Sequence, residues 1–381
     1  MIGLSSPLDP TDPAVCTTPG GFAWWYVDLV DEAGNGLVLI WSLNLPFLPD
    51  VSYGVRSGGR PIPADHPSLN IVVHRSGKPA FYLLQQSDPG DWSWSAADRR
   101  WQIGESRIAV ERLDAGCVRL RAHLRTPIPG QAEPFTGEVE ITGPLRQVGQ
   151  TADPRSPHLW CPLVTAATGR AQLRWADTTL DLQGRAYFDR NACDRPITEL
   201  GIRQWSWGRL PFAGRELIWY HLAPEDPQLP ARSIVLEVLA DGSSARVEDV
   251  ELVATRRRRG RYGLRYPRAL RFADPSGRPV EVRVTHVVED GPFYQRFSVS
   301  ARCGAEEVEG VAELVYPARI ALPGLRPLIE MRVHRLRGRN SFWLPLFTGG
   351  RRGRIERLVG QLRGRPALPG PAPISPASER P

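Results

Sequence analysis

The chain of 381 residues lacks most of the signatures that would assign it a chemistry directly. Lysine is almost missing: Lys78 stands alone among an excess of arginine, and the formal net charge is +7. An Arg-rich solvated face accounts for that charge. The Arg256–Arg259 run has no interleaved aromatics and no recognisable nucleic-acid fold around it, so no nucleic-acid partner is expected. Five cysteines (Cys16, Cys117, Cys161, Cys193 and Cys303) are scattered, odd in number and never spaced C-x-x-C. They offer neither a disulfide framework nor a zinc site, and seven dispersed histidines add no ligand cluster. Cys161 and Cys193 are therefore expected as free thiols, and no metal is expected. No apolar run approaches the ~20 residues of a membrane span. The opening stretch MIGLSSPLDPTDPAVC has neither a basic n-region nor an apolar h-region, so no secretory signal is read there. A cytoplasmic protein, or one attached reversibly at the inner face of a membrane, is expected. A P-loop, a G-x-G-x-x-G after a strand, G-x-S-x-G and H-E-x-x-H are all missing.

What is present reads as strand after strand. FAWWYVDLV, the turn EAGNG and GLVLIWSLNL form a hairpin signal, and RIAVE, VRLRAHL and GEVEITG alternate apolar and polar residues with period two. The second half repeats the style through IRQWSWGRL, ELIWYHLA, SIVLEVLA, VEVRVTHVVED, FYQRFSVSAR, EGVAELVYPARI, IEMRVHRLR and FWLPLF. Strand signals recur about every 8–12 residues, as in antiparallel sandwiches and barrels. The fold class expected is all-β. Each half holds enough strands to close one barrel, with a boundary near residue 195. Residues 1–20 are expected to be irregular, 21–195 to form the first β domain, 196–348 the second, and 349–381 a basic helix and a disordered Pro-rich tail. Only the end looks helical. Ile355, Leu358, Val359 and Leu362 fall at i, i+3, i+4 and i+7 among arginines, which fits a helix packed on a barrel or a basic interfacial helix touching membrane.

The stretch from Ser156 to Arg209 concentrates the acid–base and cation-stabilising residues. His158 and Trp160 are two apart on one apolar run, and Tyr187 and Asp189 are two apart on another. In strands, each pair shares a face. An acid among aromatic rings suits protonation of an apolar, electron-rich substrate. The same residues would equally suit a Trp-rich β core with a salt-bridged Asp. The stretch crosses the domain boundary, where pockets often lie.

The blocks GGFAWWYVDLVDEAGNGLVLI, PHLWCPL, GRAYFDRNACDRPITE and WSWGR resemble the signature blocks of the carotenoid 1,2-hydratases, the hydroxyneurosporene synthases. That family belongs to a wider lipocalin-like group with tocopherol cyclases and fungal Diels–Alder-type cyclases. The likeness covers roughly residues 20–345. It implies two consecutive lipocalin-like antiparallel β-barrel domains. It also places the family's catalytic His-x-Trp on His158 and Trp160 and its Tyr-x-Asp on Tyr187 and Asp189, with Asp189 as proton donor and Asn191 beside it. Trp25, Asn191, Trp205 and Trp207 are expected to contact substrate. Two departures stand out: Cys161 replaces a second Trp, and Leu43–Pro49 reads LNLPFLP where the family has a polar, Tyr-rich block.

The resemblance implies an apolar polyene substrate, an acyclic carotenoid above all, and no cofactor. Burial would raise the Asp189 pKa from its usual value of about 3.9 so that it carries a proton at neutral pH. Protonation leaves a tertiary cation, which aromatic faces at Trp160 and Tyr187 would stabilise and water would capture, with His158 orienting the water or taking its proton. The same lining would serve a cyclase, in which an internal double bond captures the cation. A non-catalytic carrier of an apolar pigment is the third alternative.

Overall fold

The computed structural model describes residues 2–4, 14–95, 97–113, 116–146, 158–320 and 322–362. The Pro-rich tail expected at 366–381 lies outside the described residues. The chain forms two curled, almost wholly antiparallel sheets. One has fourteen strands and takes in most of residues 22–193; the other has nine and spans residues 202–315. The all-β, lipocalin-like expectation holds.

Alternation explains the outer strands. Cys117–Thr126 and Phe135–Pro144 bury nearly every second residue and turn charged or polar side chains outward. The strand Phe22–Val30 behaves differently, with eight of its nine residues buried. Its two faces serve two cores. Ala23, Trp25, Val27 and Leu29 point into the first sheet, whereas Phe22, Trp24 and Tyr26 join a middle core shared with Trp205, Trp207 and Tyr220 of the second sheet. The strand Thr178–Cys193 lies beside it in antiparallel register, with Tyr26 opposite Asp189 and Asp28 opposite Tyr187. A third core, with Leu210, Phe212 and Trp219, fills the second sheet. The site lies in the middle core because only there do strands of both sheets bury their facing side chains against each other.

The block QWSWGR can be read residue by residue. It lies in the strand Ile202–Phe212, so Trp205, Trp207 and Arg209 share one face and Ser206 and Gly208 the other. Trp219 packs on that other face and donates from Nε1 to Ser206 Oγ at 3.3 Å. A Cβ at Gly208 would collide with the Trp219 ring, so a side chain is excluded there.

Four expectations need correction. Ile2–Leu4, expected to be irregular, pairs in parallel with His158–Trp160, whose outer edge is open to it. Pro49–Arg56 is a helix, with Pro at its start, Asp50 in the first turn and Arg56 in the last, all favourable to the helix ends. Leu344–Phe347, in the expected strand FWLPLF, is a short helix with Pro345 in its first turn. Finally, Val333–Arg335 and Gly349–Gly350 pair with the strand Lys78–Gln86 of the first sheet, so the expected 196–348 domain gives up its last strands to the other sheet. The helix Arg354–Leu362 forms as expected. It is held by Arg357, which donates from Nη2 to the carbonyls of Thr348 and Gly350 at 2.9 Å each.

Candidate active site

Tyr187, Asp189 and Asn191 alternate along one strand and project together into the middle core. The adjacent strand His158–Trp175 brings His158 opposite Cys193 and Trp160 opposite Asn191. Asp189 Oδ2 accepts from Tyr187 O–H at 2.8 Å and from Trp160 Nε1 at 2.9 Å, and its Oδ1 accepts from Asn191 Nδ2 at 3.1 Å. His158 Nε2 lies 3.1 Å from Asn191 Oδ1. With both Asp189 oxygens accepting, this is the pattern of the ionised carboxylate, in which His158 Nε2 carries the hydrogen and donates to the Asn191 oxygen.

Burial sets the protonation states. Asp189 is 3% exposed, and removal from water pushes its carboxyl up to about 8. The donors on Tyr187 and Trp160 oppose that rise, and the charges of Glu313 and Asp28 add to it. Asp189 is therefore largely a protonated acid at neutral pH. Burial pushes His158 down to about 4, so its ring is neutral there.

A cavity opens against Asp189 and Asn191, with ≈ 480 Å³ of empty space counted out to solvent. Its walls are Trp24, Tyr26, Trp205, Trp207 and Tyr220, with Ile40, Leu45, Phe47, Tyr294, Glu313 and Val315 completing the lining. Trp24 stacks on Trp205 at 6.3 Å, and Tyr26 meets Trp207 edge-on at 5.2 Å. Ile40, Phe47, Tyr294 and Glu313 are only half-buried and mark the open side. The cavity is thus apolar and π-rich at its walls with one protonated carboxyl at its end.

Of the eight residues expected from sequence, Asp189, Asn191, Trp205 and Trp207 line this cavity. His158, Trp160 and Tyr187 cluster around Asp189 but do not line it: their polar atoms hold the acid and its neighbour. The aromatic residues that line the cavity are Trp24, Tyr26, Phe47, Trp205, Trp207, Tyr220 and Tyr294 instead. Trp25 is on the opposite face of its strand, packed on Trp101 at 4.2 Å inside the first sheet, and Trp24 takes the place expected for it. Of the two sequence departures, Cys161 belongs to the first-sheet core and lies off the cavity. Leu45 and Phe47, in LNLPFLP, form part of its wall.

One element had no sequence signal. Arg209, on the same face as Trp205 and Trp207, is 1% exposed and bridges Asp28 of the first sheet to Glu216. Its Nε lies 3.0 Å from Asp28 Oδ2 and its Nη1 2.8 Å from Glu216 Oε1. Its guanidinium also lies over the Tyr187 ring, 5.8 Å from the centroid. Glu216 Oε2 accepts from the N–H of Ala166, which stands at φ 50° where the strand register shifts between Val164 and Ala167. The five cysteines form no disulfide, and no group of three or more metal-ligating side chains is found among the described residues.

The chain is similar to known proteins over most of its length. The family described as carotenoid hydratase CrtC matches residues 51–342. The acyclic carotenoid 1,2-hydratase of Thiocapsa roseopersicina is 26% identical over 84% of this chain and 75% of its own length. That of Rubrivivax gelatinosus is 28% identical over 83% and 74%. A hydroxyneurosporene dehydrogenase of Chlorobaculum tepidum is 23% identical over 79% of this chain and 84% of its own. In fold, an AttH-type protein of Nitrosomonas europaea superposes with a TM-score of 0.57 at 16% identity, over 82% of this chain and 96% of that one.

Proposed function

Because the chain belongs to the CrtC carotenoid hydratase family, we propose that it is a cofactor-independent hydro-lyase that adds water across a terminal C=C of an acyclic carotenoid or related apolar polyene. The observation that carries this reading is a single one: a carboxyl kept protonated by burial at the end of an aromatic cavity. The Asp189 O–H bond breaks, and its proton joins the less substituted alkene carbon. The C=C π pair forms the new C–H bond, leaving a tertiary cation. Trp205, Trp207 and Tyr220 line the space that charge occupies, and a π face turned to it is worth about 2 kcal/mol or more when desolvated. Water oxygen then bonds to the cation and sheds a proton. Tyr187 and Trp160 hold the acid in place and stabilise the carboxylate left behind. His158 acts through Asn191 as a positioning residue. Leu45 and Phe47 shape the side by which the rest of the polyene leaves the cavity. The two halves, meeting near residue 195, supply the acid from the first sheet and most of the cation's aromatic wall from the second.

The test is product analysis after incubation with lycopene in heavy water. A hydrated product with one deuterium on the carbon next to the hydroxyl-bearing carbon is expected. A cyclised isomer with one deuterium in place of a hydrogen would assign cyclisation instead, and unchanged lycopene without deuterium would assign a carrier.

Such a substrate resides in membranes, and the surface beside the C-terminal helix suits an interface. Phe342, Trp343 and Ile355 are 39%, 46% and 70% exposed, with Arg351 and Arg352 exposed between them. Aromatic and aliphatic anchors among arginines fit peripheral contact with an anionic leaflet. Binding to phosphatidylcholine vesicles should rise with added phosphatidylserine, fall with salt and drop several-fold in Trp343→Glu/Ile355→Glu. Sedimentation that the double substitution leaves unchanged returns this segment to a purely packing role.

A further inference from the structure

Hydration needs a second proton acceptor. Asp189 gives its proton to carbon, and the water that attacks must lose one. His158 is 0% exposed and does not line the cavity, so it cannot touch that water. The second sheet supplies an alternative. Glu313 lines the cavity with a side chain 12% exposed, on its open side. One of its oxygens is held by Arg296 Nε at 3.0 Å. Trp207 stands opposite it in register. Three further polar groups belong to residues that line the same cavity. The hydroxyls of Tyr26 and Tyr294 and the Trp207 Nε1 hydrogen have no hydrogen-bond partner among the described residues. Buried donors rarely go unpaired, so three in one cavity point to a ligand that accepts from them. Tyr26 also links the two walls. It is the register partner of Asp189, and the Glu313 charge is, after burial, the next cause of its raised phenol pKa.

Resting on the hydratase reading, we propose that Glu313 is the general base for the attacking water, which Tyr26 O–H or Trp207 N–H holds by donating to its oxygen. The oxygen lone pair bonds to the tertiary carbon, one water O–H breaks, and that proton goes to the Glu313 carboxylate. Glu313 returns the proton to solvent on the open side, and Asp189 regains one, so no proton is gained or lost over the cycle.

The test uses the full chain with lycopene in heavy water and measures two rates, hydration and deuterium entry into recovered lycopene. Without the base, Asp189 still forms the cation, and the cation collapses back to the alkene by losing to Asp189 either the deuteron just added or, after rotation of the CHD carbon, its original hydrogen, which leaves deuterium in lycopene. Glu313→Gln should therefore cut hydration by about 10²-fold or more while deuterium entry into lycopene persists. Glu313→Asp should recover part of the hydration. Removing the partner of Arg296 could disturb folding, so Tyr26→Phe provides an independent readout. It deletes a hydroxyl that bonds nothing among the described residues, so stability should hold or rise while hydration falls relative to exchange. Normal hydration in both Glu313→Gln and Tyr26→Phe overturns the assignment, as does parallel loss of hydration and exchange in folded Glu313→Gln. A wild-type chain that neither hydrates nor exchanges lycopene overturns the hydratase reading itself, and the base with it.

Discussion

Asp189→Asn should lower turnover by about 10²–10⁴-fold, the usual worth of a general acid, while the protein stays folded. The variant is close to an isostere of the working state. A protonated Asp189 has one donor and one acceptor oxygen, and the amide likewise offers both a donor and an acceptor. Both require Asn191 to turn its oxygen toward residue 189, with its amide then donating to His158 Nε2 and the His158 hydrogen moving to Nδ1. His158 Nδ1 is buried and without a partner among the described residues, so no existing bond opposes that change of tautomer. Stability follows from linkage. The folded carboxyl titrates near 8, above its unfolded value of 3.8. Between those values the unfolded chain has lost a proton that the folded chain keeps, so stability declines as pH rises through this window. The amide in Asp189→Asn does not titrate, so the variant should gain on the wild type from about pH 4 to about pH 8. Activity of the wild type should fall as pH rises past about 8, where the acid ionises. Turnover with lycopene and urea denaturation across that range measure both effects. Near-normal turnover in Asp189→Asn would remove the acid-catalysed mechanism.

The acid was legible in the sequence because strand period is rigid. Once GRAYFDRN is a strand, Tyr187, Asp189 and Asn191 must share a face. The sidedness of FAWWYVDLV was not legible, because that strand is buried on both faces and its one charged residue, Asp28, takes its meaning from Arg209, a partner 181 residues away that spacing does not identify. Choosing between Trp24 and Trp25 requires the second sheet, whose Trp205 stacks on Trp24. Glu313 and Tyr26 were equally hidden, since each acquires meaning only where the sheets face each other. The helix Pro49–Arg56 did leave a signal, a proline start with Asp50 and Arg56 at the matching ends, outweighed by the strand signals on either side.

Arg209→Met should destabilise the protein by about 3–5 kcal/mol, the cost of leaving a buried charge without its partner. Here one guanidinium serves two carboxylates. Asp28 and Glu216 are both 0% exposed, and Asp28 lies 181 residues from Arg209 in the chain. The pairing could not be read from spacing, yet it ties the strand beside Tyr187 to the strand bearing Trp205 and Trp207. Burial already pushes Glu216 above its usual 4.5, with Arg209 as the main force opposing it. Without Arg209 that opposition is gone, and Glu216 takes up a proton on folding. The sign follows: above about pH 4.5 the unfolded chain ionises while the folded variant holds that proton, so the deficit widens as pH rises and narrows as it falls. Denaturation of wild type and variant at several pH values measures this slope. Adding Asp28→Asn and Glu216→Gln to Arg209→Met removes the orphaned charges and should recover most of the lost stability, because a neutral core can replace a buried ion network at little cost. Activity should recover less than stability, because the triad also sets how the wall of Trp205 and Trp207 stands against Asp189. A deficit independent of pH, or a triple variant no more stable than Arg209→Met, would mean that Arg209 contributes by packing on Tyr187 rather than by charge.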